Sequence, residues 1–280
     1  MTGASRGVGR GVAEVLGECG ATVYVAARST RESPTTGDPD QTVEAAAEEI
    51  ERRGGTGVAV RCDFGVDADV ERLFAQVEAE QGRLDLLVNN VVGWGQEFES
   101  QDVENDAKQW VAPMWERSVA NWDGNMRVGL RSHFLACRLG IPLMLGRAQA
   151  MVVFTGERPN VEPNPDLSID VRAHATARFA FTLARQLERH RIASLVVYPG
   201  FPRTEGVVDS WERGNSYFDG WTHEDFMAKT ESPHYGGRAI AMLAGDADVM
   251  SKSGQVVGAH ELARSYDFTD VDGRQPVPVA

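Results

Sequence analysis

Cysteine is scarce in this chain: Cys19, Cys62 and Cys137 are its three, widely spaced. An odd, sparse set argues against a disulfide frame or a zinc site and for reduced core thiols in a cytoplasmic protein. Long apolar runs are missing too. None approaches the roughly 20 residues needed to span a bilayer, and no basic-then-apolar signal segment opens the chain. Positive charge is short, with 28 Lys and Arg against 41 Asp and Glu and a net charge of -13. That balance disfavours nucleic acid, where affinity comes from neutralising phosphates, and it disfavours an anionic membrane surface. No repeat, low-complexity tract or Gly/Ser/Pro-rich linker divides the sequence, so a single domain over 1–280 is expected.

What is present is an alternation of strand-like and helix-like segments in a chain of 280 residues, 42% hydrophobic and 25% charged. Such a chain can bury a full core. Ala21–Ala27, Val58–Cys62, Leu84–Val88, Ala150–Thr155, Ala193–Tyr198 and Gly254–Ala259 read as strands. Asp40–Arg53, Asp67–Gln81, Ser168–His190 and Tyr235–Ala244 read as helices, and Trp115–Leu145 as a long helical stretch bent by Gly140 and Pro142. Gly95–Pro113 and Gly156–Pro165 read as loops, and Phe201–Pro233 as the least regular part. The fold class is α/β, a single doubly wound parallel sheet flanked by helices.

The strongest motif is Thr2-Gly3-Ala4-Ser5-Arg6-Gly7-Val8-Gly9. Gly3 permits a tight turn, Gly7 lets backbone approach a pyrophosphate, and Gly9 lets the following helix pack closely on the sheet. Such a loop normally follows a strand and opens the helix that receives the phosphates. Here no strand stands before it. The expectation is a short apolar strand of about five or six residues, encoded just upstream of Met1. Arg28 follows the next strand, where an Asp would bind the ribose 2′-hydroxyl of NAD. A planar, always charged guanidinium suits a 2′-phosphate instead, so Arg28 and Arg6 favour NADP(H) over NAD(H).

The glycine loop, Asp63 after the third predicted strand, Asn89-Asn90 after the fourth, and Pro199-Gly200 together resemble the short-chain dehydrogenase/reductase family. The resemblance covers essentially the whole chain. It implies a Rossmann-type sheet and a dinucleotide held by Thr2, Gly3, Ser5, Arg6, Gly7, Val8, Gly9, Arg28, Asp63, Asn89, Pro199 and Gly200. It also implies a homodimer or homotetramer built on the helices that begin at Trp115 and Ser168. Ser232–Ala239, Glu261–Tyr266, Asp270–Arg274, Trp122-Asp123-Gly124 and Arg203-Thr204-Glu205 resemble the subgroup related to dehydrogenase/reductase family member 1.

The catalytic half departs from that pattern. Where the family carries its Asn, Ser, Tyr and Lys, this chain has Arg127, Gly156, Ile169 and Ala173. A Tyr and Lys one helical turn apart move the proton that accompanies hydride transfer. No Tyr-x-x-x-Lys occurs anywhere in the chain. His174 and Tyr198 are the candidate substitutes; Glu157 and Arg158 stand in the loop expected to border the substrate and Trp94 just past the turn after Leu84–Val88, while Thr155 is expected on the other side of its strand and His133 as a satisfied helix histidine. Three functions follow: an NADP-linked oxidoreductase of small-molecule carbonyls or alcohols with a non-standard proton source; a redox-neutral enzyme performing isomerisation, dehydration or cyclisation; or a non-catalytic partner of an active paralogue.

Overall fold

The computed structural model describes residues 1–93, 112–147, 149–159 and 162–276. Trp94 and most of the expected loop 95–113 lie outside the described residues. The strands are β1 (Thr22–Ala27), β2 (Thr56–Arg61), β3 (Leu86–Asn89), β4 (Met151–Thr155), β5 (Ala193–Tyr198) and β6 (Val256–Gly258). All pair in parallel, β1 with β2, and β3 through β6 in sequence order. The helices are α1 (Gly7–Glu18), α2 (Val43–Arg52), α3 (Asp67–Gln81), α4 (Val119–Met126), α5 (Ser132–Gly140), α6 (Leu167–Leu187), α7 (Glu205–Glu212), α8 (His223–Lys229), α9 (Pro233–Gly245) and α10 (Ala259–Tyr266).

Strand alternation sorts the core into two layers. Val23, Val25, Met151, Val153, Leu195 and Val197 pack against residues of α1, α2, α9 and α10. Tyr24, Ala26, Val152, Phe154 and Val196 pack against residues of α3, α5 and α6. β4 and β5 are buried on both faces, which is why each reads as a continuous apolar run, whereas β2 lies at an edge and stays partly exposed. Cys62 and Cys137 sit in the second layer, and burial pushes both thiols up to about 12, so they are inert at neutral pH.

Two expected elements differ. The long helical stretch is divided into α4, a five-residue π segment at Arg127–Arg131, α5, and a 3-10 turn at Ile141–Met144. It begins at Val119 because the Ser118 hydroxyl accepts the Asn121 N–H at 3.1 Å. The segment 201–233 is more regular than expected, since it holds α7 and α8. Thr204 and Thr222 cap those helices. Trp211, Phe218 and Phe226 pack ring against ring, with Trp211 stacked on Phe226 at 4.8 Å. Helices this short depend on such tertiary packing.

Candidate functional site

The glycine loop is the turn between the sheet and α1. Gly3 and Gly7 have φ of +66° and +58°, a region that L side chains rarely adopt. A Cβ at Gly9 would lie 2.0 Å from the Gly3 carbonyl oxygen, so only glycine lets α1 come so close. Asn90 braces the turn. Its Nδ2 donates to the carbonyls of Thr2 and Gly3 at 3.1 and 3.0 Å, and its Oδ1 accepts the Thr155 hydroxyl at 2.9 Å. The Thr2 hydroxyl in turn accepts the backbone N–H of Asn90 at 2.9 Å and of Val91 at 3.1 Å. Thr2 and Ser5 are buried, Val8 packs against the first core layer, and Arg6 and Arg28 are exposed.

Of the two adjacent asparagines, it is Asn90 that reaches the glycine loop. Asn89 is fully buried and its Nδ2 rests on Cys137 of α5 at 3.4 Å. Strand alternation sends adjacent side chains to opposite faces, and only Asn90 reaches the loop. Asp63 accepts the Gly65 N–H at 2.8 Å and so shapes the turn after β2.

The start of α1 has no side-chain cap of its own at Arg6. Its Gly7 N–H donates instead to the Glu205 carboxylate at 2.9 Å, across 198 residues of sequence. A helix N-terminus attracts negative charge, and this carboxylate stands where a phosphate oxygen would be received. A phosphate-bearing nucleotide therefore fits the residues present. Glu205 was not singled out as a ligand-site residue by sequence reasoning, because nothing local links it to Gly7.

Pro199 and Gly200 close the other end. Gly200 has φ of +96°, and a Cβ there would lie 2.2 Å from Glu231 Oε1. Glu231 is buried, accepts the Phe201 N–H at 2.7 Å and lies 2.6 Å from His260 Nε2. Tyr198 precedes this turn. Burial raises its phenol above the ordinary tyrosine range, and the Glu231 carboxylate adds to this while Arg158, 5.8 Å over the ring, opposes it.

At the four replaced positions the side chains are not proton carriers in waiting. Ile169 and Ala173 are buried on α6. Gly156 follows β4, and a Cβ there would meet nothing within 4 Å, so space does not exclude a serine. Arg127 is exposed, and its Nε donates to the Gly65 carbonyl at 3.0 Å. His174 does not enter the site. Its side chain is 52% exposed and its Nδ1 bonds the Asp170 carbonyl one turn back at 2.9 Å. It sits one residue past Ala173, and that step turns it off the buried face.

Arg172, the residue before Ala173, turns inward instead. It is buried, donates to Asn125 Oδ1 at 3.2 Å and to Glu157 Oε1 at 2.9 Å, and its stem lies against Gly129. His133 is also buried. Its Nε2–H donates to the Val91 carbonyl at 3.0 Å, and burial lowers its pKa to about 4.

Comparisons with known proteins agree with this architecture. The family model for short chain dehydrogenase matches residues 1–214. Dehydrogenase/reductase SDR family member 1 of Mus musculus is 33% identical over 278 residues, which is 98% of this chain and 83% of that protein. A short chain dehydrogenase crystal structure from Mycobacterium thermoresistibile superposes at a TM-score of 0.77 and 21% identity, covering 100% of this chain and 90% of that one. A metagenomic short-chain oxidoreductase crystallised in complex with NADP gives a TM-score of 0.66 at 22% identity, covering 92% of each chain. These structural likenesses speak to the fold. The glycine loop, the parallel sheet and the full-length sequence similarity place the chain in the short chain dehydrogenase family.

Proposed function

We propose that this protein is an NADP(H)-dependent oxidoreductase acting on a small-molecule carbonyl or alcohol without the family's usual proton relay. The observation that carries it is the Gly7 N–H held on a carboxylate within a loop that Asn90 braces from three sides. That loop offers an anion-receiving helix end and close backbone approach, which is what a dinucleotide requires. Thr2, Gly3, Ser5, Arg6, Gly7, Val8 and Gly9 would hold the pyrophosphate side. Asp63 and Asn89 would support the adenine side, with Arg28 and Arg6 at a 2′-phosphate. Pro199 and Gly200 would border the nicotinamide.

When bound, the nicotinamide supplies or takes up a hydride at the substrate carbon. The chain must then deliver or remove one proton at the substrate oxygen. Tyr198, next to Pro199-Gly200, is the candidate hydroxyl for that role, and its burial raises the phenol pKa, which makes it a weaker proton donor than a tyrosine paired with a lysine. Arg172 and Glu157 neutralise one another beside Gly156 and hold the loop after β4 in place. Water admitted at Gly156, where no side chain fills the space, is the other proton source.

The helices expected to form an oligomer face carry exposed apolar side chains. Val119 and Trp122 on α4, Phe134 on α5, and Val171 and Phe181 on α6 are each more than a third exposed. Their burial against a second copy supports a homo-oligomer. Among the described residues no helix is long and apolar enough to cross a membrane; the sparse cysteines, Cys62 and Cys137 buried as free thiols, support a cytoplasmic location.

A second reading has its own support. Ile169 and Ala173 are buried apolar residues that can move no proton, which supports redox-neutral chemistry or a non-catalytic subunit paired with an active paralogue. Titration with NADPH and NADH, followed by a substrate screen at 340 nm, a wavelength of roughly maximal reduced-nicotinamide absorbance, separates the readings. The oxidoreductase reading expects micromolar NADPH binding, weaker NADH binding, and turnover that falls at least ~10-fold in Tyr198→Phe. The triple variant Gly156→Ser, Ile169→Tyr, Ala173→Lys serves as the positive control. Folded protein that binds neither nucleotide sinks it. Turnover with no absorbance change selects redox-neutral chemistry.

A further inference from the structure

The replaced catalytic positions lie on three elements: Arg127 on the π segment between α4 and α5, Gly156 after β4, and Ile169 with Ala173 on α6. One side chain joins the three. Arg172 stands three residues after Ile169 and one before Ala173, and all of them are buried, so it leaves α6 on the face that carries the replaced pair. Its stem lies against Gly129 of the π segment. Its Nε donates to Asn125 Oδ1 at 3.2 Å and its Nη2 to Glu157 Oε1 at 2.9 Å.

No other Lys or Arg among the described residues is buried to this degree. Taking a guanidinium out of water is costly unless its donors are matched. Here the match is incomplete. Among the described residues Nη1 makes no hydrogen bond, and Glu157 meets the guanidinium through one oxygen only. The other oxygen, Oε2, is buried and has no partner. A guanidinium and a carboxylate have the shape for two parallel bonds, and this pair makes one.

The two partners of Arg172 are held very differently. Asn125 is fully buried, and its Nδ2 donates to Asn121 Oδ1 at 2.9 Å and to the Asn121 carbonyl at 3.1 Å. That turns its Oδ1 toward Arg172 and fixes the cation. Glu157 sits on the loop after β4, and its side chain is 36% exposed against 5% for Arg172. The carboxylate is therefore the member that can leave, and the cation the member that stays. Beside it, the space at Gly156 is open, since a Cβ there would meet nothing within 4 Å.

We infer that Arg172 anchors a carboxylate of the substrate, which pairs with Nη1 and Nη2 together and displaces Glu157. Glu157 shows which anion the seat takes, because it is itself a carboxylate held there by a single bond. The inference rests on the reading of this cleft as a small-molecule site and names the class of molecule, an oxo or hydroxy acid. A planar fork of donors fixes the acid's orientation as well as its charge, which a lysine would not do.

Calorimetric titration of the folded protein with pyruvate and benzoylformate, each against its neutral amide, is the test. Each acid should bind at least ~10-fold more tightly than its amide. Glu157→Gln removes the competing carboxylate, so it should tighten the acids severalfold and leave the amides unchanged. Arg172→Met keeps much of the stem and should erase the difference between acid and amide. Equal affinity for acid and amide in both pairs, or no binding of any of the four, overturns the inference. So does a folded Glu157→Gln protein that binds the acids no more tightly, a result that decides the matter even where Arg172→Met fails to fold. A parallel NADPH titration keeps the two readings apart. Nucleotide binding without a preference for acids overturns this inference alone, and a preference for acids without nucleotide binding overturns the oxidoreductase reading alone.

Discussion

The nucleotide half and the catalytic half of this molecule obey opposite rules of conservation of chemistry. Around Gly3, Gly7 and Gly9 every close approach is kept, and Asn90, Thr2 and Thr155 interlock to hold it. Around Ile169 and Ala173 the proton-moving groups are replaced by buried hydrocarbon, and the nearest polar cluster is Arg172 with Asn125 and Glu157. A phosphate-binding turn is a backbone device, so it survives only if its glycines do. A proton relay is a side-chain device and can be lost with the fold intact.

The largest break in that comparison should come from Gly9→Ala. A Cβ 2.0 Å from a backbone oxygen has no soft neighbour to displace. We expect a loss of about 3 kcal/mol or more in stability and at least a ~100-fold loss in NADPH affinity, read by denaturant melts and titration. Gly156→Ser, by contrast, has open space and should leave stability within about 0.5 kcal/mol.

His133 lies between the halves and makes the folded state sensitive to acid. Its folded pKa of about 4 lies below the ordinary 6.5, so the folded protein prefers the neutral ring. The neutral preference costs nothing above pH 6.5, and stability is then lost as pH falls toward 4, by about 3 kcal/mol in all. Comparing Tm against pH for the protein and for His133→Gln should show a shallower acid limb in the variant. Identical acid limbs would remove His133 as the cause.

Asn90→Ala should cost about 2 kcal/mol, because it leaves the Thr2 and Gly3 carbonyls and the Thr155 hydroxyl without their partner. The same substitution at Asn89, whose Nδ2 donates to Cys137, should cost less stability than Asn90→Ala and weaken NADPH binding severalfold at most. A smaller effect is expected at Glu205. Glu205→Gln removes a competing negative charge from the Gly7 N–H and should tighten NADPH about threefold at low salt, less at high salt. Weaker binding would mean that Glu205 supports the nucleotide instead of standing in for it.

Much of the scaffold was legible because parallel strands buried on both faces write themselves as apolar runs. Ala193–Tyr198 matches its expected bounds for that reason, and the helix Asp67–Gln81 matches because Val70, Leu73, Phe74 and Val77 recur at helical spacing. The helices α7 and α8 were not legible because they are only eight and seven residues long, and contacts among Trp211, Phe218 and Phe226 from separate segments hold them. The far-end motifs also became intelligible only in space: the Ser232 N–H donates to Asp270 Oδ2 at 2.7 Å, tying α9 to the tail.

By itself the amino-acid sequence determined the class of fold, the glycine turn and the absence of a Tyr–Lys relay, since each is a matter of residue type at short range. The tertiary structure alone decided which of two adjacent asparagines braces the loop. It decided that His174 faces out and Arg172 faces in, and that a carboxylate from residue 205 meets the Gly7 amide. Those outcomes turn on the facing of one residue against the next and on contacts between distant segments, which local pattern does not encode.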